Sequence, residues 1–525
     1  MHVELTLLVL VLGALAITAV CRRFDVSAPL VLVVAGIAAS FLPGVESLEI
    51  EPDVVLLVVL TPLLYSAALE SSYLGIRANR RPIGLLAVGL PAFTALVVGL
   101  VAFWLVPELS LPAALVLGAV VAPPDAVSAL AVGRRLGLPR RVMTILGGES
   151  LINDATALTL FRVFVAVAAG QTLTFLDAGG MFLLAAVGGT AIGLAVGWVV
   201  HRVRMLLHDA RVESALGLVV PFAVYLIAEE AHTSGVLAVV VTGLYLGHHA
   251  PEGGYASRLQ EQAVWQASDT ILESVVFALI GLQLTSVIAQ AGPDVGRLVL
   301  YGLIVTAATV ISRPLWVFPA TYLPRVLFKG VREADPRPRW QVPAVISWSG
   351  MRGVVTLAAA FAIPADVPGR DTILFLAFFV TVATLLLHGL TLPAVIHRLG
   401  VRDTGGQAQV LAEAQAQYAA VQASIGRLDE LMADDVGGAT GHTAEKLRRF
   451  AQMRANQVWE QLGRPDSEAG ESPGAAYRRL RREMLARERD TFVAHRDAGD
   501  IDDEILRRVQ RQLDLEEAML ARDDP

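Results

Sequence analysis

The residues of this chain that could do chemistry sit in the middle of apolar stretches. The segment GGESLINDATALTLF, from Gly147, brings Glu149, Ser150, Asn153, Asp154 and Thr156 together within about two helical turns. At about 100° per residue, Glu149 and Asp154 stand roughly 140° apart around a helix. The two carboxylates therefore face different surroundings and are expected to do different jobs. Asn153 and Asp154 pair an amide with a carboxylate, Ser150 lies one turn below Asp154, and Thr156 is close by in the chain. Such a set supplies hard oxygen ligands of the kind that suit a small cation. The competing reading is a hydrogen-bonded polar pair that only joins two helices.

A second cluster lies upstream in LVLGAVVAPPDAVSALAV, where Pro123 and Pro124 precede Asp125. Two prolines remove two amide donors and clash with carbonyls one turn back, so the helix is expected to break there and free carbonyl oxygens near a carboxylate. Interrupted helices at mid-membrane are one way transporters build ion sites; a kink used only for packing would not need the adjacent acid. Arg313 in VISRPLWVF and Arg352 in SWSGMRGVVTLAAAFAIP cannot shed their protons, so each needs a carboxylate or helix-end carbonyls nearby. Arg162, Glu229, Glu230, Asp269 and Glu273 are further ionisable groups inside apolar runs. Each costs roughly 2.5–3.5 kcal/mol at a bilayer centre and so needs a reason.

These residues need a membrane scaffold. The 525 residues are 54% hydrophobic and only 17% charged, with a mean hydropathy of +0.58, too apolar for an ordinary soluble enzyme of this length. Charge concentrates at the end: residues 401–525 hold 18 Lys/Arg and 24 Asp/Glu, and the net charge of −7 comes mostly from there. The chain is therefore read as an all-α polytopic membrane domain, residues 1–400, followed by a helical cytoplasmic tail, residues 401–525. About 20 apolar residues per crossing place thirteen spans at roughly 3–20, 27–43, 52–70, 83–106, 112–133, 142–169, 176–201, 212–231, 233–248, 266–289, 297–321, 340–363 and 371–396. With the amino terminus outside, twenty Lys/Arg, among them Arg22, Arg23, Arg134, Arg135, Arg140 and Arg141, fall in cytoplasmic loops. The opposite loops hold Arg297 and Arg370 and acids such as Glu46, Glu49, Glu51 and Asp53. MHVELT lacks a positive n-region and Arg22 and Arg23 follow the first apolar run, which points to a retained first span and not a cleaved signal. The span holding Asp125 and the span holding Arg352 run in opposite directions, as an inverted repeat of spans one to six and eight to thirteen would give.

Several function classes drop out. A single cysteine, Cys21, excludes an intramolecular disulfide, and no Cys/His spacing fits zinc. The charge balance gives no reason to expect nucleic acid. An intramembrane hydrolase would want HExxH, GxGD or GxSxG, none of which stands in the spans, and a cation channel lacks a TVGYG-like filter. Among lesser features, Gly189, Gly193 and Gly197 form a small-residue stripe for packing within the protomer or at a dimer interface. Arg162 is placed to tune an access path or to pair with Glu229 or Glu230. His248 and His249 close a span end, where they are solvated or sense protons. The tail reads as four helices, opening at LAEAQ, TAEKL, AAYRR and DDEIL, with breaks at Gly437, Gly438 and Pro465 to Pro473 and no GxGxxG.

These motifs resemble those of the sodium/proton exchangers of the monovalent cation:proton antiporter superfamily, the bacterial NhaP and animal NHE branch. The resemblance runs through TPLLYSAALE from Thr61, PPDAVSALAV, GGESLINDATAL, EEAHTSGVLAVVVTGLYLGH from Glu229, ESVVFALIGLQL from Glu273, ISRP, SGMRGVVTLAAA from Ser349 and HGLTLP from His388. It implies thirteen helices in inverted repeats with two broken crossing helices, and a core domain that moves against a dimerisation domain in an elevator-like cycle within a homodimer. It also implies that Asp154 is the exchanged cation and proton site, with Asn153 beside it and Asp125 near the crossing; Ser150 joins this set on the helical spacing alone. Glu149 is paired with Arg313, and Arg352 steadies the crossing that Pro123 and Pro124 open. One departure is that Pro-Pro precedes Asp125 and Ala126 follows it, where many relatives carry Asp-Pro.

The chemistry runs the same way, because a buried carboxylate can hold either one proton or one cation. With Asn153 neutral, a single titrating acid favours one-for-one, electroneutral exchange. Na+, Li+ and K+ all use oxygen ligands and are not ranked, and no cofactor is expected beyond the transported ions. Plasma-membrane residence, contact with lipid and a regulatory tail complete the expectation.

Overall fold

The computed structural model describes all residues except 1–2, 25, 43–53, 126, 173, 208, 291–293, 404–405, 434–440, 453–472, 499–502 and 523–525. The expected outer acids Glu46, Glu49, Glu51 and Asp53 lie outside the described residues, as do Ala126 and most of the expected tail breaks. Among the described residues there are helices and their connections but no strand. The chain divides into two compact units, residues 1–403 and 404–525.

The first unit is built from α1 (Val3–Arg23), α2 (Ala28–Ser40), α3 (Val55–Glu70), α4 (Arg80–Leu105), α5 (Leu111–Val120), α6 (Val127–Arg135), α7 (Arg140–Ala168) and α8 (Phe175–Leu206). It continues with α9 (Ala210–Glu230), α10 (Gly235–His249), α11 (Tyr255–Gln290), α12 (Val295–Leu327), α13 (Gln341–Trp348), α14 (Val354–Phe361) and α15 (Arg370–Leu399). Among the described residues seven of these, α4, α7, α8, α9, α11, α12 and α15, are long and apolar enough to cross a membrane; α2, α3 and α5 are shorter apolar helices.

Proline shapes the local backbone. π-Helical segments at Val55–Leu60 and Leu85–Gly89 each stop two residues before a proline, Pro62 and Pro91. A proline ring clashes with the carbonyl four residues back, and the wider π turn relieves that clash while leaving carbonyls to be satisfied. The Thr61 and Leu90 amides close the π turns on Leu56 O and Leu85 O, and each of these carbonyls accepts a second bond, from Thr61 Oγ1 at 2.8 Å and from the Trp316 indole N–H at 2.8 Å. At Pro123 and Pro124 the helix does not run on: it stops at Val120 and resumes at Val127. A matching interruption separates α13 from α14 at residues 349–353.

Small residues let the helices approach. Gly36 of α2 meets Gly281 of α11 so closely that a Cβ on Gly36 would lie 2.9 Å from the Gly281 Cα. Gly189, Gly193 and Gly197 of α8 face Ser234, Ala238 and Tyr245 beside and on α10, so the stripe serves packing inside this chain. Two apolar cores result, one joining α4, α5, α7, α12, α13, α14 and α15, the other joining α3, α9 and α10 around Tyr65, Leu151 and Trp265.

The second unit comprises α16 (Gly406–Ala433), α17 (residues 441–452), α18 (Pro473–Asp497) and α19 (Asp503–Arg522). Arg481 of α18 donates to both carboxylate oxygens of Glu516 on α19 at 2.6 and 2.8 Å, and Arg489 reaches Asp514 and Glu517.

Candidate functional site

The two interruptions meet. The Asp125 amide donates to Met351 O at 2.7 Å, so the backbone of one break is bonded directly to the other. Arg352, fully buried, donates through Nε to Val121 O at 2.8 Å and through its terminal nitrogens to Ala122 O and Gly350 O, while Thr384 of α15 receives its amide at 3.1 Å. The Val121 and Ala122 carbonyls, left open where the helix ends, are thus answered by one guanidinium, which meets the need of an arginine without a carboxylate. His388 lies behind this point, buried edge-on against Trp348 at 5.1 Å. Gly353 sits so near Asp125 that any Cβ there would overlap the carboxylate.

α7 then presents its polar residues in three directions. Glu149 receives two hydrogen bonds from Arg313 of α12, at 2.6 and 2.9 Å, with both side chains about 2% exposed. Arg313 Nε adds a bond to Ile346 O at 3.0 Å. Asn153, with no exposed surface, donates its amide to Pro124 O at 2.9 Å, and its Oδ1 is enclosed without a donor among the described residues. Asp154, 5% exposed, reaches the wall of a cavity of about 570 Å³ together with Ser150, Pro123 and Asp125. The expectation that Glu149 and Asp154 occupy different surroundings therefore matches the geometry: one carboxylate is neutralised by an arginine, the other faces open space.

Thr156 is not part of that wall. Its hydroxyl points to Ile152 O at 3.5 Å on its own helix, because a residue two positions past Asp154 lies about 200° round the axis. Arg162 pairs with Glu229 at 2.7 Å, which selects between the two acids open to it from the sequence. His249 stacks on Tyr245 at 4.3 Å, and His248 packs on Tyr73 at 5.1 Å.

The cavity also collects acids to which sequence reasoning gave no role. Asp269 and Glu273 of α11 line it with Glu70 and Ser66 of α3, and Ser66 Oγ donates to Asp269 at 2.6 Å. The four-residue spacing of Asp269 and Glu273, which puts both on one helical face, was the signal available. The cavity lies at the seam of the two apolar cores, with Leu60, Leu64 and Leu151 from one and Val276 and Phe277 from the other on its walls.

The profile of the family described as "Sodium/hydrogen exchanger, transmembrane" matches residues 7–398. A Mycobacterium tuberculosis protein named as an uncharacterized Na(+)/H(+) exchanger is 34% identical over 522 residues, spanning 96% of this chain and 93% of the relative. A Bacillus pumilus protein named "Sodium, potassium, lithium and rubidium/H(+) antiporter" is 32% identical over 416 residues, 74% of this chain and 61% of that protein. Among solved structures, the sodium proton antiporter MjNhaP1 from Methanocaldococcus jannaschii superposes with a TM-score of 0.61 at 16% identity, over 76% of this chain and 99% of that one, a likeness of fold. The chain belongs to the sodium/hydrogen exchanger family and is a multi-pass membrane protein of a group of secondary transporters, not enzymes.

Proposed function

We propose that this protein exchanges a monovalent cation for a proton across the plasma membrane, one for one, at Asp154. The observation that carries the reading is the contrast along α7: Glu149 is held by Arg313, whereas Asp154 opens onto the cavity beside an Asn153 whose amide is fixed on Pro124 O. A carboxylate in that position binds either a proton or a cation, and competition between them couples the two fluxes. Ser150 and Asp125 complete the oxygen set. Glu149 and Arg313 form a structural pair, and Arg352 with Pro123 and Pro124 holds the crossing. Because Asn153 is neutral, one acid changes protonation per cycle and no net charge moves.

The seam position of the cavity supports an alternating-access cycle in which one body slides past the other, elevator-like. Thirteen spans in inverted repeats, an external amino terminus, a cytoplasmic tail and a homodimer complete the reading, on the loop-charge asymmetry and on the motifs quoted above. Residues 1–400 form the transport domain and residues 401–525 a regulatory tail. Na+ is the first substrate to test; the name of the Bacillus relative makes K+, Li+ and Rb+ the next.

The experiment is dequenching of a pH dye in everted vesicles, run with each chloride salt in turn and repeated in proteoliposomes with sodium as the added test cation under a potential clamped by valinomycin and a potassium gradient, read against the same gradient without sodium. Salt-dependent proton movement that ignores the potential is expected. Absence of any cation response overturns the exchange reading, and strong acceleration by the potential overturns the one-for-one stoichiometry.

A further inference from the structure

Away from the crossing, three arginines from three different spans converge on a separate crevice of about 70 Å³. Arg81 comes from the start of α4, Arg141 from the start of α7 and Arg325 from the end of α12. All three spans therefore reach one membrane boundary at this point, and the loop-charge pattern assigns that boundary to the cytoplasm. The carboxylate in contact with the cluster is Asp335, which pairs with Arg141 at 2.7 Å and Arg325 at 2.5 Å. Arg325 also donates through Nε to Asp335 O at 3.1 Å and through a terminal nitrogen to Thr321 O, and Arg141 through Nε to Asn79 Oδ1 at 3.1 Å, so Asp335 answers two of the three guanidinium groups. Nε of Arg81 is enclosed and meets no acceptor among the described residues. α7 opens at Arg140 with Pro139 as its N-cap, a residue whose side chain offers no hydrogen bond, so the positive end of a 29-residue helix points at the same place. Below the arginines the crevice is apolar, walled by Leu85, Leu86, Val142, Ile145 and Val317.

We propose that this crevice is a binding site for an anionic phospholipid of the cytoplasmic leaflet, with the headgroup phosphate among Arg81, Arg141 and Arg325. Guanidinium forks match phosphate oxygens, and uncapped helix N-termini accept anions. The volume holds a phosphate and the first carbons attached to it. The apolar wall below gives a reason to bind a lipid phosphate in preference to a free one, since the start of an acyl chain gains cover that inorganic phosphate cannot use. Asp335 is the internal competitor for Arg141 and Arg325. An occupied site would tie the starts of α4 and α7 to the end of α12, and so fix the helices that carry Glu149 and Arg313.

The test is thermal unfolding of the full-length protein in detergent, with dioctanoyl phosphatidylglycerol, dioctanoyl phosphatidylcholine or inorganic phosphate added at equal concentrations. Phosphatidylglycerol is expected to raise the melting temperature by about 3 °C near saturation, falling with added salt, and the other two to leave it unchanged. Arg81→Gln and Arg141→Gln should abolish the rise measured from their own baselines. Asp335→Asn should strengthen it, lowering the half-saturating lipid concentration several-fold. Arg332→Gln, an exposed charge on the same side outside the crevice, should change nothing. An undiminished rise in Arg81→Gln, an equal rise with phosphatidylcholine, or no rise with any lipid would overturn the site. An equal rise with inorganic phosphate would leave an anion site and overturn the lipid.

Discussion

Cutting the Glu149–Arg313 pair on one side tests whether it is structural. Glu149→Gln leaves Arg313 with a neutral partner and the Ile346 carbonyl; Arg313→Met leaves the Glu149 carboxylate, about 2% exposed, without its two donors at 2.6 and 2.9 Å. Breaking a buried pair from one side costs roughly 3–5 kcal/mol, because the survivor is an uncompensated charge, while replacing both partners with uncharged groups is often close to neutral. At about 2 °C per kcal/mol for a domain of this size, each single variant is expected to melt roughly 6–10 °C below wild type in detergent. Glu149→Gln combined with Arg313→Met should recover most of that loss, giving a coupling energy of about 5–9 kcal/mol in a double-mutant cycle, the sum of the two single losses less the small loss of the double. Melting would be followed by intrinsic tryptophan fluorescence and checked by size-exclusion recovery. Additive losses would refute the reasoning and reopen Glu149 as a second ion-binding carboxylate.

Truncation after Arg402 removes the second unit and none of Asp125, Glu149, Asn153, Asp154, Arg313 or Arg352; exchange should survive with a shifted pH midpoint, since a tail can only bias states it contacts differently. Complete loss in a truncated protein that still inserts would make the tail part of the cycle. Asp269→Asn and Glu273→Gln remove charges from the cavity wall. At a separation on the order of 10 Å and an effective dielectric of about 30, each is worth about 1 kcal/mol, so the half-saturating cation concentration should rise about five-fold with maximal rate little changed, read by dye dequenching. In the tail, the Arg481 hydrogen bonds hold the Glu516 carboxyl below its usual range. That contribution to the α18–α19 contact is present above the ordinary carboxylate pKa and is lost as pH falls through the depressed one. Glu516→Gln should mimic the acid state at neutral pH and speed amide exchange across residues 473–522.

Much of the site was legible because its signals are local. Two prolines before an acid dictate a break, and an arginine in an apolar run dictates a carboxylate or helix-end carbonyls beside it; both inferences need only the chemistry of the residues concerned. The partners themselves were less accessible. That Arg352 is met by Val121 and Ala122 carbonyls and Arg313 by Glu149 depends on which helices cross; the family resemblance supplies the Glu149–Arg313 pairing and, for Arg352, only its place at the crossing. Asp269 and Glu273 show the limit most clearly: their spacing puts both on one face of α11, but nothing local says that this face looks into the cavity. Thr156 erred the other way, since nearness along the chain was mistaken for nearness in space on a helix that turns 200° over two residues. The glycine stripe of α8 was equally compatible with a partner in the same chain and one in a second copy, and the contacts with Ser234, Ala238 and Tyr245 decide for the former.

Asp154→Asn is the most direct test of exchange at this site. The substitution keeps the shape and hydrogen-bonding capacity of the side chain and removes its ability to alternate between a proton and a cation. The Asn153 amide on Pro124 O and the Glu149–Arg313 pair stay intact, so the protein should fold and insert as before. Reconstituted at matched density with wild type, Asp154→Asn should show no sodium-driven proton movement above empty liposomes. Exchange at a substantial fraction of the wild-type rate in a correctly inserted Asp154→Asn protein would contradict the account.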